Sequence, residues 1–132
     1  PLICACKCSG SVRYIHLGCL RTWLGKQLNV VRSKFCISIK WKPLSCEMCK
    51  AHYRYRIYLD NHKFYTVEIP KPGRPYIVLE VMRRSAEYSK IFHFVSLAET
   101  SRVSIGRKKD VDVKISDDIS VSRHHANLIY DF

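Results

Sequence analysis

The sequence contains no long apolar run, and no stretch approaches the roughly 18 consecutive apolar residues that a membrane-spanning helix needs. Nothing near its start has the charged and apolar regions of a secretory signal. No Ser-His-Asp grouping and no paired carboxylates are arranged as a catalytic site would require. The sequence therefore offers no candidate nucleophile or acid–base catalyst, and no membrane segment within its 132 residues.

Acidic residues are also scarce, with 11 Asp and Glu against 23 Lys and Arg, for a formal charge of +12. The excess is uneven, because residues 1–60 hold 11 basic and 2 acidic residues, and residues 61–132 hold 12 and 9. A basic surface is compatible with nucleic acid or anionic lipid. No helix-turn-helix or stacking motif accompanies the charge, so nucleic-acid binding is the least favoured interpretation.

Closely spaced pairs of soft metal ligands are the most informative feature of the chain. The pairs are Cys6 and Cys8, His16 and Cys19, and Cys46 and Cys49. Two donors close in sequence form a small chelate loop, and a distant pair completes a zinc tetrahedron. Because a closed site needs four ligands and the pairs supply six, the chain fills one site and half of another, or has lost a pair.

The cysteine count argues against a disulfide framework. Seven is an odd number, and ligand-like spacing is typical of a reducing compartment, so we expect an intracellular protein, cytoplasmic or nuclear. Membrane attachment outside these 132 residues stays open. Cys36 has no near partner, and a small buried residue is its favoured interpretation. Cys4 is a second surplus thiol.

The remaining pattern predicts two domains with a linker between them. Apolar residues at helical spacing between residues 17 and 28 predict one helix. The alternation from Phe35 to Trp41 predicts a strand within residues 29–45, which are interpreted as an insertion. Tyr53 to Leu59 alternate, which predicts a half-buried strand with a solvated arginine face. Short β runs separated by turns in residues 76–132 predict an all-β sandwich. The expected domains are therefore 1–60 and 76–132, joined by the Pro-rich linker 61–75.

The first half resembles the RING-CH (RINGv) zinc finger. The resemblance rests on Pro1-Leu2-Ile3, Cys6-Lys7-Cys8, Tyr14-Ile15-His16, Cys19-Leu20 and Trp23-Leu24. That family binds two zinc ions in a cross-brace and opens with a Cys-x2-Cys pair, which would lie before Pro1, so we expect a fragment of a longer protein. The resemblance implies one complete site, at Cys6, Cys8, Cys46 and Cys49. It implies a half site at His16 and Cys19.

The RING-CH resemblance implies a ubiquitin ligase, which positions a ubiquitin-conjugating enzyme so that a substrate lysine can attack its thioester. No residue is assigned as catalytic, because the cysteines serve as ligands. Ile3, Trp23 and Lys50 resemble the contacts that such fingers make with the conjugating enzyme. A structural zinc contributes roughly 10–16 kcal/mol of binding energy, so chelation should unfold residues 1–60 and spare the β half.

A second resemblance lies in the β-rich half. Ser104-Ile105-Gly106-Arg107 and Ser122-Arg123-His124-His125 resemble motifs of the forkhead-associated (FHA) domain, which binds phosphothreonine peptides through loops at one end of a β-sandwich. The resemblance implies phosphopeptide contacts from Arg107, Ser122 and Arg123, and structural roles for Gly106 and His125. Arg107 suits this role because its planar guanidinium can pair with two phosphate oxygens.

Together, the two resemblances predict an α+β protein: a small zinc-bound RING-like cross-brace domain followed by a partial all-β FHA sandwich. Its expected function is that of a RING-CH-type ubiquitin ligase directed by phosphorylation. Its expected partners are a ubiquitin-conjugating enzyme and a phosphothreonine-containing protein. One alternative is a non-enzymatic zinc-binding phosphopeptide adaptor, which Trp41 keeps open because it precedes Cys46 by five residues, as in a PHD finger. The other alternative is a basic nucleic-acid-binding protein.

Overall fold

The computed structural model describes residues 1–82 and 89–131, and the chain divides into two compact units. The first unit consists of Pro1–Asn29 and Trp41–Ile69, and the second of Val30–Lys40 together with the residues from Pro70 onward. Residues 61–69, expected in the linker, belong to the first unit. The segment Val30–Lys40, expected as an insertion in the finger, belongs to the second unit.

The described residues form one α-helix, one short 3-10 helix and eleven strands. In chain order they are β1 (Leu2–Cys4), the 3-10 helix (Gly10–Arg13), β2 (Tyr14–His16), α1 (Leu17–Gln27), β3 (Asn29–Arg32), β4 (Cys36–Trp41), β5 (Arg56–Leu59), β6 (His62–Tyr65), β7 (Tyr76–Glu80), β8 (Lys90–Ser96), β9 (Arg102–Gly106), β10 (Val113–Lys114) and β11 (Ala126–Ile129). None of the described helices is both long and apolar enough to cross a membrane.

The core of the first unit forms around helix α1, which confirms the helix predicted between residues 17 and 28. Leu17, Leu20 and Leu24 are all buried, because spacings of three and four residues return side chains to one face of a helix. They pack with Ile3 and Val67. Burying one leucine stabilises the fold by about 1.5–3 kcal/mol, so this cluster is a major source of stability for a small unit.

Two antiparallel hairpins flank this core. Strands β1 and β2 pair so that Ile3 lies opposite Ile15, and strands β5 and β6 pair so that Ile57 lies opposite Phe64. The side chains of Ile15, Ile57 and Phe64 are partly buried against the core. Each hairpin therefore has an apolar inner face and an outer face in water.

The second unit contains a three-stranded and a four-stranded sheet. The strand order is β10-β9-β11 in one and β3-β4-β8-β7 in the other. Strand β9 pairs in parallel with β10 and antiparallel with β11. Val95, Val103 and Val113 are fully buried between these strands, and Cys36 of β4 joins the same cluster. The β-rich architecture expected from the short apolar runs is therefore present.

The segment 30–40 supplies two of the four strands in the larger sheet. Hydrogen bonds fasten it there: the amide of Ser96 donates to the carbonyl of Phe35 at 2.8 Å, and Ser33 Oγ donates to the carbonyl of Asp112 at 2.9 Å. Its alternation predicted a strand, but the pattern could not indicate which unit the strand would join.

Candidate metal centre and phosphopeptide-binding loops

Four cysteine sulfurs converge in the first unit. The Sγ atoms of Cys6, Cys8, Cys46 and Cys49 all lie within 4.8 Å of one another, and those of Cys8 and Cys46 are 3.7 Å apart. Two sulfurs bonded to one tetrahedral zinc at about 2.3 Å lie about 3.8 Å apart. The cluster therefore has the donor type, donor number and spacing of a structural zinc site.

A tight loop places the second pair of sulfurs. The amide of Cys46 donates to the carbonyl of Ala51, and the amide of Lys50 donates to the carbonyl of Cys46, both at 2.9 Å. Lys50 has a φ of 59°, in the left-handed region that side chains rarely adopt. This turn brings Cys46 and Cys49 close enough to serve as two donors of one ion.

Hydrogen bonds distribute charge unevenly within the cluster. Backbone amides of Cys49 and Met48 lower the pKa of the Cys46 thiol to about 6. Hydrogen bonding to Cys6 and Cys46 raises the pKa of the Cys8 thiol to about 12. Adjacent thiolates repel one another, whereas a bound divalent cation favours deprotonation of every thiol that coordinates it.

Tyr53 is a further member of this site that the sequence did not indicate. Burial and the Cys46 sulfur raise the pKa of Tyr53, and the Tyr53 hydroxyl in turn lowers the pKa of the Cys46 thiol. Its ring packs edge-on against Trp23 with centroids 6.0 Å apart. Tyr53 therefore links helix α1 to the metal centre.

The second predicted metal site, at His16 and Cys19, does not form a cluster of donors among the described residues. His16 and Cys19 are exposed at the start of α1, and in the described chain they belong to no cluster of three or more metal-binding side chains. Cys4 is also exposed, with its Sγ 3.8 Å from the carbonyl of Cys6. Cys36 is buried in the second unit, as expected for a small core residue. The half site at His16 and Cys19 stays a prediction.

The structure corrects one of the three contacts expected with a conjugating enzyme. Ile3 is 1% exposed and packs in the core, so its side chain has no surface to offer a partner. The exposed apolar residue beside it is Leu2, at 56%. Trp23 is partly buried against Tyr53, and Lys50 is exposed beside the metal ligands.

The second unit brings the two FHA-like motifs together. The amide of Arg107, just after β9, donates to the carbonyls of Ser122 and Arg123 at 3.0 and 3.1 Å. Arg107 Nε donates to the carbonyl of Val121 at 3.2 Å. Gly106 permits this approach, because a Cβ at that position would lie 2.1 Å from the Arg123 carbonyl oxygen.

His125 braces the loop that carries Ser122. The amide of Ser122 donates to His125 Nδ1 at 3.1 Å, and the amide of His125 donates to the carbonyl of Ile105 at 2.8 Å. Arg107, Ser122 and Arg123 are all exposed. The loops therefore place two guanidinium groups and a hydroxyl where an anionic ligand can reach them.

Comparisons with known proteins support the resemblance of each half of the chain to its family. Residues 1–49 match the RING-variant domain (RINGv), and residues 103–132 match the FHA domain. The E3 ubiquitin-protein ligase MARCHF7 of Pongo abelii is 25% identical over 150 residues, covering 98% of this chain and 19% of that protein. MARCHF7 of Rattus norvegicus and of Mus musculus are each 27% identical over 119 residues, covering 75% of this chain and 16% of theirs.

The chain thus spans about a fifth or less of the length of the curated relatives it matches. No solved structure matches it. In the first half, the sulfur cluster and the domain match both fit a zinc finger of the RING-CH kind, and the chain is similar to E3 ubiquitin ligases at low identity. The second half contains a segment that is similar to an FHA domain.

Proposed function

We propose that this chain is part of a RING-CH-type ubiquitin ligase whose FHA segment selects phosphothreonine-containing proteins. The observation that carries the proposal is the convergence of four cysteine sulfurs within 4.8 Å, inside the segment that matches the RING-variant domain. The similarity to MARCHF7 proteins, whose name states ubiquitin-protein ligase activity, supports the same class.

The finger would position the conjugating enzyme and its ubiquitin, and would take no covalent part in the transfer. Cys6, Cys8, Cys46 and Cys49 would hold a zinc ion, and the bound ion would cross-link two distant parts of the first unit. A rigid finger can then dock a conjugating enzyme and hold its thioester-linked ubiquitin within reach of a substrate lysine. Lys50 is placed for such docking, because it is exposed and directly follows a ligand.

The FHA segment would supply substrate selection. A phosphothreonine carries about −1.5 to −2 charges and three acceptor oxygens. Arg107 retains the terminal nitrogens of its guanidinium for the phosphate, because its described hydrogen bond to Val121 uses Nε. Ser122 and Arg123 would complete the contacts. A phosphorylated protein held here would be presented to the finger for ubiquitin transfer.

His16 and Cys19 would belong to a second zinc site. Both are exposed and lie within one turn of each other at the start of α1, a spacing that allows two donors to share one ion. Two further ligands would be needed to complete this site. The ratio of zinc to protein tests this: two per full-length chain is expected, falling to one in a His16→Ala and Cys19→Ala double variant.

The ligase activity is tested by ubiquitin discharge. Full-length protein is mixed with a panel of ubiquitin-charged conjugating enzymes, and loss of the thioester is followed. The wild type should accelerate discharge with at least one enzyme, and Cys46→Ser should abolish the effect. Cys4→Ser is the matched control, because Cys4 is an exposed thiol outside the cluster.

The outcome also separates the ligase from its main alternative. A non-enzymatic adaptor would bind zinc and phosphopeptide but accelerate discharge with no conjugating enzyme. Phosphothreonine-peptide binding should be lost in Arg107→Ala and retained in Arg102→Ala, a change at an exposed arginine on strand β9. Equal binding of the phosphopeptide by both variants would contradict the proposed role of the FHA segment.

A further inference from the structure

The β5–β6 hairpin of the first unit carries two tyrosines and two cations on one exposed face. This outer face consists of Arg56, Tyr58, Lys63 and Tyr65. Arg56 pairs across the strands with Tyr65, and Tyr58 pairs with Lys63. Because residues two apart share a face of a strand, each tyrosine has one cation beside it along the strand and another across it.

The inner face of the hairpin explains why these side chains point into water. Ile57, Leu59 and Phe64 pack against the core of the first unit. The alternation from Tyr53 to Leu59 predicted a half-buried strand with a solvated arginine face. Strand β5 begins at Arg56 and follows that pattern, because Ile57 and Leu59 are partly buried and Tyr58 shares the solvent side with Arg56.

The aromatic rings of the outer face are accessible, and neighbouring side chains hold the Tyr65 ring in place. Tyr58 is 66% exposed and Tyr65 is 37% exposed. Lys63 Nζ lies 5.2 Å from the centroid of the Tyr65 ring, within cation–π distance. The ring of Tyr55, which is 38% exposed, lies against Tyr65 with centroids 5.2 Å apart and extends the aromatic surface.

The charge around this face is strongly positive. The first unit carries nine Lys and Arg residues against three acidic residues. Of those acids, Glu68 pairs with Arg21 at 3.4 Å, and Asp60 lies in the turn between the strands. The four residues of the outer face include no carboxylate, so the face is complementary to a polyanion.

We infer that the outer face binds single-stranded nucleic acid, with bases stacked on Tyr58 and Tyr65 and backbone phosphates paired with Arg56 and Lys63. Exposed rings between cations are the combination that single-strand binders use. Tyr58 and Tyr65 are diagonal neighbours on the two paired strands, a relationship that places residues about 7–8 Å apart, so separate rings can stack separate bases. A duplex keeps its bases stacked on one another, and an acidic peptide would use the cations but not the rings.

The inference is independent of the ligase proposal and has a direct test. Fluorescence anisotropy would compare binding of a fluorescein-labelled 12-nucleotide oligo(U), the corresponding oligo(dT) and a duplex of equal length to the folded, zinc-loaded chain. Both single strands should bind more tightly than the duplex. If oligo(U) and oligo(dT) differ, oligo(dU), which differs from oligo(U) in the sugar alone, would assign the preferred sugar.

Variants of Tyr58 distinguish stacking from simple charge attraction. Tyr58→Leu should weaken single-strand binding by about 5- to 100-fold, because it removes one stacking partner. Tyr58→Phe keeps the ring and should bind within about twofold of the wild type. Lys63→Ala should weaken binding and lower the slope of log affinity against log salt by about 0.7.

The matched control is Tyr14→Leu. Tyr14 is also exposed, at 49%, and has a cation over its ring, because Arg13 Cζ lies 4.5 Å from its centroid. It lies on strand β2, outside the face, so its loss should leave binding unchanged. Thermal unfolding checks the fold of each variant. Because Tyr58 and Tyr14 are both exposed, we expect little change in the melting temperature.

Three outcomes would overturn the inference. One is an absence of measurable binding to either single strand at low salt. Another is equal loss in Tyr58→Leu and Tyr14→Leu, which would show diffuse charge attraction. The third is tighter binding of poly-glutamate or of anionic vesicles than of either oligonucleotide, with no effect of Tyr58→Leu, which would identify a different polyanion as the partner.

Discussion

Ser38 Oγ lies 2.8 Å from Nδ1 of His93, which links strand β4 to strand β8 inside the second unit. Ser38 comes from the segment that precedes Cys46 and Cys49, and His93 comes from the β-rich half of the chain. His93 is 3% exposed, so this hydrogen bond is shielded from water. Segment 30–40 is therefore part of the structure of the second unit, not an appendage of the finger.

The burial of His93 predicts that the second unit weakens in acid. Burial lowers the pKa of His93 below the ordinary value of about 6.5. Between the lowered and the ordinary pKa the unfolded chain binds more protons, so the free energy of unfolding falls as pH drops below about 6.5. Urea unfolding at pH 7.5 and 5.5 should show this loss, and His93→Gln should reduce it. An unchanged pH dependence in His93→Gln, judged against His62→Gln, would contradict the prediction.

The sequence alone predicts that chelation spares the β half, but segment 30–40 belongs to the second unit, so zinc removal should loosen that unit as well as the finger. If the first unit unfolds, the 29 residues from 41 to 69 become a flexible loop between segment 30–40 and the rest of the sandwich. Closing such a loop costs on the order of 3 kcal/mol. Hydrogen exchange in residues 30–40 should then accelerate by up to about 100-fold after chelation. The control is chelator already saturated with zinc, and unchanged protection of residues 30–40 would show that the segment is held without the finger.

Tyr53 should strengthen metal binding. Tyr53→Phe removes the hydroxyl that lowers the pKa of the Cys46 thiol while keeping the ring against Trp23. Loss of such a supporting contact typically costs 10- to 100-fold in metal affinity. Competition with a chromophoric chelator should show this, and the sulfur-to-cobalt charge-transfer band of the cobalt-loaded protein should shift. Tyr55→Phe should match the wild type in both measurements, and an unaltered Tyr53→Phe would remove Tyr53 from the site.

Gly106 should not tolerate a side chain. In Gly106→Ala the new Cβ would lie 2.1 Å from the carbonyl oxygen of Arg123, so the loop that carries Ser122 must move. Such overpacking typically costs about 1–3 kcal/mol, and the phosphopeptide contacts should weaken with it. Gly73→Ala is the control, because no atom lies within 4 Å of its Cβ position. Equal melting temperatures for the two variants would contradict the close approach.

The ligand pairs were accessible from sequence because chelation is partly local. Two residues separate Cys46 from Cys49 in a tight loop, and that spacing is itself the signal for a pair. The resemblance to the RING-CH finger implied which two pairs share one ion, and the resemblance to the FHA domain implied the roles of Gly106, Arg107 and Ser122. The burial of Ile3 was not predicted, because an apolar residue at a strand position can face either side and only its pairing with Ile15 decides which.

The sequence by itself determined the closely spaced cysteine pairs, the helix between residues 17 and 28 and the β-rich character of the second half. Short-range spacing and hydrophobic periodicity are properties of the chain alone, which is why these features could be predicted. Only the tertiary structure decided that four cysteine sulfurs converge, that segment 30–40 enters the second unit and that Tyr58 lies opposite Lys63 across the hairpin. Those outcomes depend on which distant strands pair and in which register, and the burial of competing apolar faces selects among pairings that the local pattern leaves equivalent.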